Sequence, residues 1–266
     1  LLPLQTQGVR PPLFYIGTTN YAWALAPSLG NDQPVYGLNL FGLQSEDGTI
    51  PSLTVESMAK QYVQEIQIVQ AEGPYYLCGY CGDAKVAYEM AQQLRAQNHL
   101  VAFLGFIDVI WQTEPISLSQ KLSYFWRNSK ELGVSYSLKK GLGKVAFYWR
   151  KLHKKRENKK IQRLQKKQEE LPLLLQHKLL IQAFEHALRD YQPQPYSENI
   201  ILFLSDEFRV KHTPALEKLA AKGVKIHDIF GYHDTIFEPE NVNKWGRVLK
   251  ECLNSREFGA PRSDKG

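Results

Sequence analysis

The most constraining stretch of this chain is Tyr75-Tyr-Leu-Cys-Gly-Tyr-Cys-Gly-Asp-Ala-Lys-Val-Ala-Tyr-Glu-Met-Ala91, where a strand-like run becomes a helical pattern through only Gly79-Tyr80-Cys81-Gly82. So short a turn makes the strand and helix cross closely, which requires small residues at the crossing and leaves one side chain exposed on strained backbone. The layout is that of a nucleophile elbow with Cys81 at its tip. A thiol at a helix N-terminus meets a partial positive charge that favours thiolate, and the amide of Gly82 is free to donate to a developing oxyanion.

On either side of the elbow, short β-branched or aromatic runs alternate with longer amphipathic stretches, the α/β pattern of a mostly parallel sheet covered by helices. Strands are expected at Leu13–Ile16, Val35–Leu38, Tyr75–Cys78, Val101–Ile107, Ile200–Leu204 and Val224–Ile229. Helices are expected at Val55–Val69, Ala84–Gln97, Pro214–Lys222 and Glu240–Leu253, with Thr54 and Ser57 capping the first. A segment of different texture interrupts this order. Between Pro115 and Tyr196 there are 18 Lys/Arg against 6 Asp/Glu, whereas the rest of the chain is net acidic. Its stretches Ser119–Leu132, Lys144–Gln168 and Leu174–Asp190 read as helices. The last repeats Leu175, Leu179, Ala183 and Ala187 on one face, a stripe expected to pack on the core. The chain therefore divides into a first core part, 1–114, a basic helical lid, 115–196, and a second core part with a C-terminal tail, 197–266.

Composition narrows the function classes. With 266 residues, 43% of them hydrophobic, the chain can bury a sizeable core. No apolar run is long enough to span a bilayer, and Leu-Leu-Pro-Leu-Gln-Thr-Gln is not a secretory leader, so a cytoplasmic location is expected. A first residue of Leu suggests a piece of something longer. Three cysteines, two of them Cys78 and Cys81, make a poor disulfide framework. The positive charge is regional, ten cations lying between Arg150 and Lys167 with only Glu157 among them, so it argues against a general affinity for nucleic acid or membrane.

An elbow nucleophile requires a base and an acid that orients it, and both are found on the expected strand ends. Asp108 follows the apolar strand Val101–Ile107, and His233 lies in Phe230-Gly-Tyr-His-Asp-Thr-Ile, beyond the last core strand. Nucleophile, acid and histidine in that chain order are the order of an α/β-hydrolase. Asp206, at the end of Ile200–Leu204 and followed by Glu207, is a competing acid. The other histidines read as surface, lid or strand residues. Cys78 reads as a core thiol, although Cys78-x-x-Cys81 also has the spacing of thioredoxin-like redox sites.

With those residues in place, the chain resembles the thioesterase domains that end nonribosomal peptide and polyketide assembly lines. The resemblance runs through Pro12-Leu-Phe-Tyr-Ile, Asp32-Gln-Pro-Val-Tyr-Gly-Leu, Glu72-Gly-Pro-Tyr-Tyr-Leu-Cys-Gly, Val86-Ala-Tyr-Glu-Met-Ala-Gln-Gln-Leu and Val224-Lys-Ile-His-Asp-Ile-Phe-Gly-Tyr-His, nearly the whole chain. It implies an α/β-hydrolase fold with an inserted helical lid. Cys81 would be the nucleophile, His233 the base and Asp108 its orienter. The expected reaction takes an acyl or peptidyl chain from the phosphopantetheine of a carrier domain and releases it by hydrolysis, cyclisation or transfer, with no cofactor or metal held by the domain itself. Three positions depart from the family. Cys81 stands where Ser is usual, Asp83 and Ala84 replace glycines, and Ile16-Gly-Thr-Thr-Asn-Tyr is shorter than the usual His-Pro and Gly-rich loop. The second oxyanion donor is then the amide of Thr18 or Thr19.

Other readings stand beside this one. The departures fit a catalytically retired module used for docking, and a free-standing cysteine esterase or lactone hydrolase would carry the same three residues. The run containing Arg150, Lys154, Lys155, Lys159 and Lys160 is either a solvated helix face or a surface that attracts an acidic carrier domain.

Overall fold

The computed structural model describes residues 1–43, 53–109, 111, 119, 123, 126, 130, 172–206, 208 and 215–255. Seven strands form one sheet: β1 (Leu2–Gln5), β2 (Leu13–Ile16), β3 (Val35–Leu38), β4 (Tyr75–Tyr80), β5 (Val101–Ile107), β6 (Ile200–Leu204) and β7 (Val224–Asp228). Their order is β1-β3-β2-β4-β5-β6-β7. Only β1 runs antiparallel, pairing with β3 at the sheet edge. Pro3, which cannot donate to a ladder, is tolerated there for that reason. The inner strands have no solvated face: every residue of β2, β4 and β6 is buried. This is why they read as continuous apolar runs and not as an alternation.

Helices α1 (Thr19–Leu29), α2 (Val55–Val69), α3 (Ala84–Ala96), α4 (Leu173–Asp190) and α5 (Pro239–Asn254) cover the sheet. One apolar cluster joins α2, α3 and the end of α4 to one face, and a second joins α1 and α5 to the other. Periodicity accounts for the placement. In α5 the buried residues Val242, Trp245, Leu249 and Cys252 recur at three- and four-residue intervals, and Trp245 donates its indole N–H to the Ile236 carbonyl at 2.7 Å. The Thr54–Ser57 capping box closes the start of α2, each backbone N–H meeting the other's hydroxyl at 3.0 Å. No helix among the described residues is long and apolar enough to cross a membrane.

Three differences from the sequence reading have local causes. Strand β1 is short and contains proline. Helix α1 has Pro27 in its last turn, which masks the Ala22, Leu25, Ala26, Leu29 stripe that it buries. The helix expected over Pro214–Lys222 is, in its described part, a set of turns. There the Tyr196 N–H donates to the Leu219 carbonyl and the Ala221 N–H to the Tyr196 carbonyl, both at 2.8 Å. Those bonds draw the backbone into a bridge with Tyr196 instead of a continued helix.

The expected lid lies mostly outside the described residues, as do its stretches from 120 to 122 and from 144 to 168. Ser119, Ser123, Trp126 and Lys130 have helical backbone and are exposed. Helix α4 is described in full, with Leu175, Leu180 and Ala187 buried. The outer face of α3 holds its C-terminal end. Lys85 Nζ donates to the Leu188 carbonyl at 2.6 Å, and the Tyr191 hydroxyl donates to Glu89 Oε2 at 2.8 Å. Further along, Gln92 reaches the carbonyls of Gln194 and Pro195.

The junction of β4 with α3 tolerates no added atom. A Cβ on Gly79 would lie 2.5 Å from the Ala84 Cα and 2.9 Å from its N. Gly79→Ala is therefore expected to cost about 1–3 kcal/mol by overpacking against backbone. A urea titration should show a lower midpoint at unchanged slope.

Candidate active site

Parallel strands bring their C-terminal ends to one sheet edge, and the loops leaving β2, β4, β5 and β7 carry the residues of interest there. Cys81 follows β4 directly and has φ 51°. This left-handed conformation is uncommon for a residue with a side chain and costs on the order of 1–3 kcal/mol, which the surrounding packing must offset. It turns the thiol out of the strand. Cys78, inside β4, is fully buried, and burial pushes its thiol well above the ordinary range.

Asp108 follows the last residue of β5, also with positive φ, 47°, and its side chain is completely buried. Its backbone N–H donates to the Phe203 carbonyl at 2.9 Å. One carboxylate oxygen, Oδ1, accepts from the Ser205 amide at 2.7 Å, and the other, Oδ2, lies 3.1 Å from His233 Nδ1. A buried carboxylate needs such partners, and Asp108 obtains one from the next strand and one from the imidazole. The loop carrying His233 is fixed by the Thr235 and Ile236 amides, which donate to the Tyr232 carbonyl at 2.8 and 2.9 Å.

On the other edge of the ring, Nε2 lies 3.0 Å from the Tyr80 hydroxyl, which donates to the His233 carbonyl at 2.9 Å. With its hydrogen given to that carbonyl, the hydroxyl turns a lone pair toward Nε2. Cys81 lies close enough to the ring to act on its charge. Burial disfavours a charge on this imidazole. The hydrogen bonds to Asp108 and Cys81, with their negative charges, outweigh it and lift the pKa from 6.5 to about 9. The geometry agrees at two atoms: Nδ1 faces the carboxylate, and Nε2 faces the tyrosine oxygen. The ring also stacks on Phe208, with centroids 4.4 Å apart.

Gly82 lies beneath the end of α4. A Cβ there would meet Leu188 Cδ1 at 2.5 Å and Phe184 Cε1 at 3.9 Å. Thr18 precedes α1 and Thr19 opens it. Their amides stand in the first turn, where no intrahelical carbonyl reaches, and both residues line a cavity whose wall also includes Asp83. The competing acid, Asp206, follows β6, where its amide donates to the Gly231 carbonyl at 3.3 Å. The carboxylate at His233 Nδ1 is that of Asp108. Arg150, Lys154, Lys155, Lys159 and Lys160 lie outside the described residues. Among the described residues, no cluster of three or more His, Cys, Asp or Glu is placed to hold a metal ion.

Two residues of this site escaped the sequence reading. Tyr80 is read there only as part of the turn, although an aromatic hydroxyl beside an elbow tip is within reach of whatever the tip residue contacts. Phe208 has no local signal, since its role comes from the return of β6 toward the His233 loop. Chemically, an elbow thiol beside an imidazole that a buried carboxylate holds at Nδ1 can exchange a proton with that imidazole.

The chain matches the family described as Thioesterase domain over residues 23–244. A dimodular nonribosomal peptide synthase of Bacillus subtilis (strain 168) is 38% identical over 112 residues, 41% of this chain and 5% of that protein. The chain spans less than a third of the length of the curated relatives it matches. Among solved structures, a four-domain nonribosomal peptide synthetase bound to AMP and glycine aligns with a TM-score of 0.67 at 21% identity, covering 95% of this chain and 20% of that one. The NocB thioesterase domain in covalent complex with a fluorophosphonate nocardicin G analog aligns at 0.59 and 18% identity, covering 93% of this chain and 96% of that one. At such identities the structures bear on the fold, which is that of an α/β-hydrolase. The family match covers most of the chain, including the elbow, Asp108 and His233, and the chain belongs to the thioesterase domain family.

Proposed function

We propose that this domain accepts an acyl or peptidyl chain onto Cys81 from the phosphopantetheine of a carrier domain in a nonribosomal peptide assembly line. The observation that carries this reading is the elbow cysteine at positive φ, beside an imidazole whose Nδ1 lies 3.1 Å from a buried carboxylate. The nonribosomal peptide synthetases among the relatives support the choice of carrier. In the first step the Cys81 thiol passes its proton to His233 Nε2, Sγ attacks the thioester carbonyl, a new C–S bond forms, and the bond to the pantetheine sulfur breaks. His233 gives its Nε2 proton to the departing thiolate. The Gly82 amide, with that of Thr18 or Thr19, holds the oxyanion. In the second step a water, hydroxyl or amine attacks the acyl-enzyme, its proton passes to His233, and the electron pair returns to Sγ.

A cysteine changes the energetics of the intermediate. Transfer from one thiol to another is nearly isoenergetic, so the chain on Cys81 stays activated, whereas an oxygen ester would be downhill. Amines and internal nucleophiles attack such a thioester readily, so release by cyclisation or aminolysis is favoured beside hydrolysis. The basic run of the lid, with Arg150, Lys154, Lys155, Lys159 and Lys160, would steer an acidic carrier toward the site.

Incubation with an acyl-pantetheine thioester should add the acyl mass to the intact protein, and Cys81→Ala should abolish the adduct. No adduct in the wild type would favour the retired docking module. Iodoacetamide should label Cys81 much faster than Cys78 or Cys252, both of which are buried. Equal labelling would remove the case for an activated thiol.

The raised histidine pKa gives a signed pH dependence. A proton held more tightly in the folded state stabilises it fully below about pH 6.5, and the contribution fades as pH rises through about 9. Acylation by Cys81 should fall over the same alkaline range, as the imidazolium that protonates the leaving thiolate is lost. Asp108→Asn should move that limb to lower pH and reduce turnover by orders of magnitude, up to about 10⁴-fold. An unmoved limb measured by stopped-flow acylation would count against the orienting role of Asp108.

Charge reversal at Lys154, Lys155, Lys159 and Lys160 should slow unloading of a carrier-bound chain in a salt-sensitive way, because exposed charges are screened over about 10 Å at 0.1 M. A small neutral thioester should be turned over at nearly the original rate. If the two substrates respond alike, the basic face is only a solvated surface.

A further inference from the structure

A cavity of about 410 Å³ opens between the loop Gly17–Asn20, the segment Asn39–Phe41, the start of α3 and the side chains of Ile181 and Phe184 on α4. It lies beside the elbow, since Asp83, two residues beyond Cys81, forms part of its wall. The volume suits one or two residues of a substrate chain. Its walls are mixed: Leu40, Phe41, Ile181 and Phe184 are apolar, and Asn20, Asn39 and the threonines are polar. Asn39 already donates to Thr19 Oγ1 at 2.6 Å.

Among the described residues, Asp83 is the one charged residue in this lining, which holds no described Lys, Arg or His. Its side chain does not cap α3, although it precedes that helix, and among the described residues it forms no ion pair. Burial pushes its carboxyl up from 3.8 to about 7, with a backbone hydrogen bond opposing the shift. The tyrosines nearest in charge, Tyr15 from β2 and Tyr62 from α2, are themselves held neutral by burial. An acid in a half-apolar wall with no cation opposite it among the described residues is costly to keep charged, and a cation entering the cavity offsets that cost. Its place beside the nucleophile means that such a cation belongs to the chain being processed.

We propose that this cavity is the subsite for the acyl or peptidyl chain and that Asp83 makes it selective for a chain bearing a protonated amine. The proposal rests on Cys81 acting as the acyl acceptor and names the substrate class that the site prefers. The two asparagines complete the recognition as hydrogen-bond partners, while Phe41, Ile181 and Phe184 cover the carbon segment between the amine and the thioester. Asp83 acts here as a specificity residue that touches the substrate and takes no part in the acyl transfer itself.

The test uses four acyl-pantetheine thioesters of one chain length that end in a primary amine, an N-acetyl amine, a methyl group or a carboxylate. Rates of adduct formation on Cys81 are read by intact mass. The wild type should prefer the amine over its N-acetyl form by about tenfold or more in kcat/KM and should react slowest with the carboxylate. In Asp83→Asn the ratio of amine to N-acetyl should fall close to one. Equal rates for all four chain ends in the wild type overturn the proposal, and so does an unchanged ratio in Asp83→Asn. Should that variant fail to fold, the wild-type order of the four substrates decides alone. Absence of any Cys81 adduct overturns the acyl-acceptor reading and the subsite with it, whereas adducts formed without discrimination overturn only the role of Asp83.

Discussion

The close passage of β4 over the first turn of α3 sets the geometry on which the rest of the site depends. Gly79 lets the Ala84 backbone approach to a distance that no side chain would permit, and the chain must then reverse direction within Tyr80-Cys81-Gly82. That reversal puts Cys81 at a positive φ, where its side chain is half-buried at the margin of the apolar cluster on the α1 and α5 face. The strain is local, and the packing that offsets it is not: buried residues of α3 such as Val86, Met90 and Leu94 anchor the helix to the sheet. The same helix begins at the thiol and, two turns later, binds the chain that leaves α4. The position of the thiol and the position of the covering helix are thus set by a single element.

Much of this arrangement is legible in the residues. The inner strands announce themselves as uninterrupted apolar runs, because both of their faces are covered. Asp108 and His233 can be placed at the strand ends from chain order and flanking composition alone. What sequence could not supply was contact across long separations. Nothing near Tyr80 indicates that its hydroxyl meets a residue 153 positions away, and nothing near Ser205 indicates that its amide receives the Asp108 carboxylate. The missed α1 and the overextended Pro214–Lys222 helix are the converse case. There the local pattern was read correctly as weak or strong, and proline position or a bridge to Tyr196 decided the outcome.

The two residues after Gly82 meet different surroundings. Ala84 is fully buried and packs against Gly79 at the crossing, so its methyl group stays within the core. Asp83 lines the cavity instead. Consecutive positions thereby serve the crossing and the cavity wall separately.

Tyr80 adds a property that the thiol and the carboxylate alone do not give. Its hydroxyl bridges the ring nitrogen and the main-chain oxygen of the same histidine, and its own backbone adjoins Cys81. The ring is thus restrained by contacts that do not involve the sulfur: Asp108 at Nδ1, the Tyr80 hydroxyl near Nε2, and the Tyr80 and Phe208 rings stacked on it. Under the proposed acyl transfer those contacts persist while Cys81 is acylated, so the imidazole has no rotational search to make before the next nucleophile arrives.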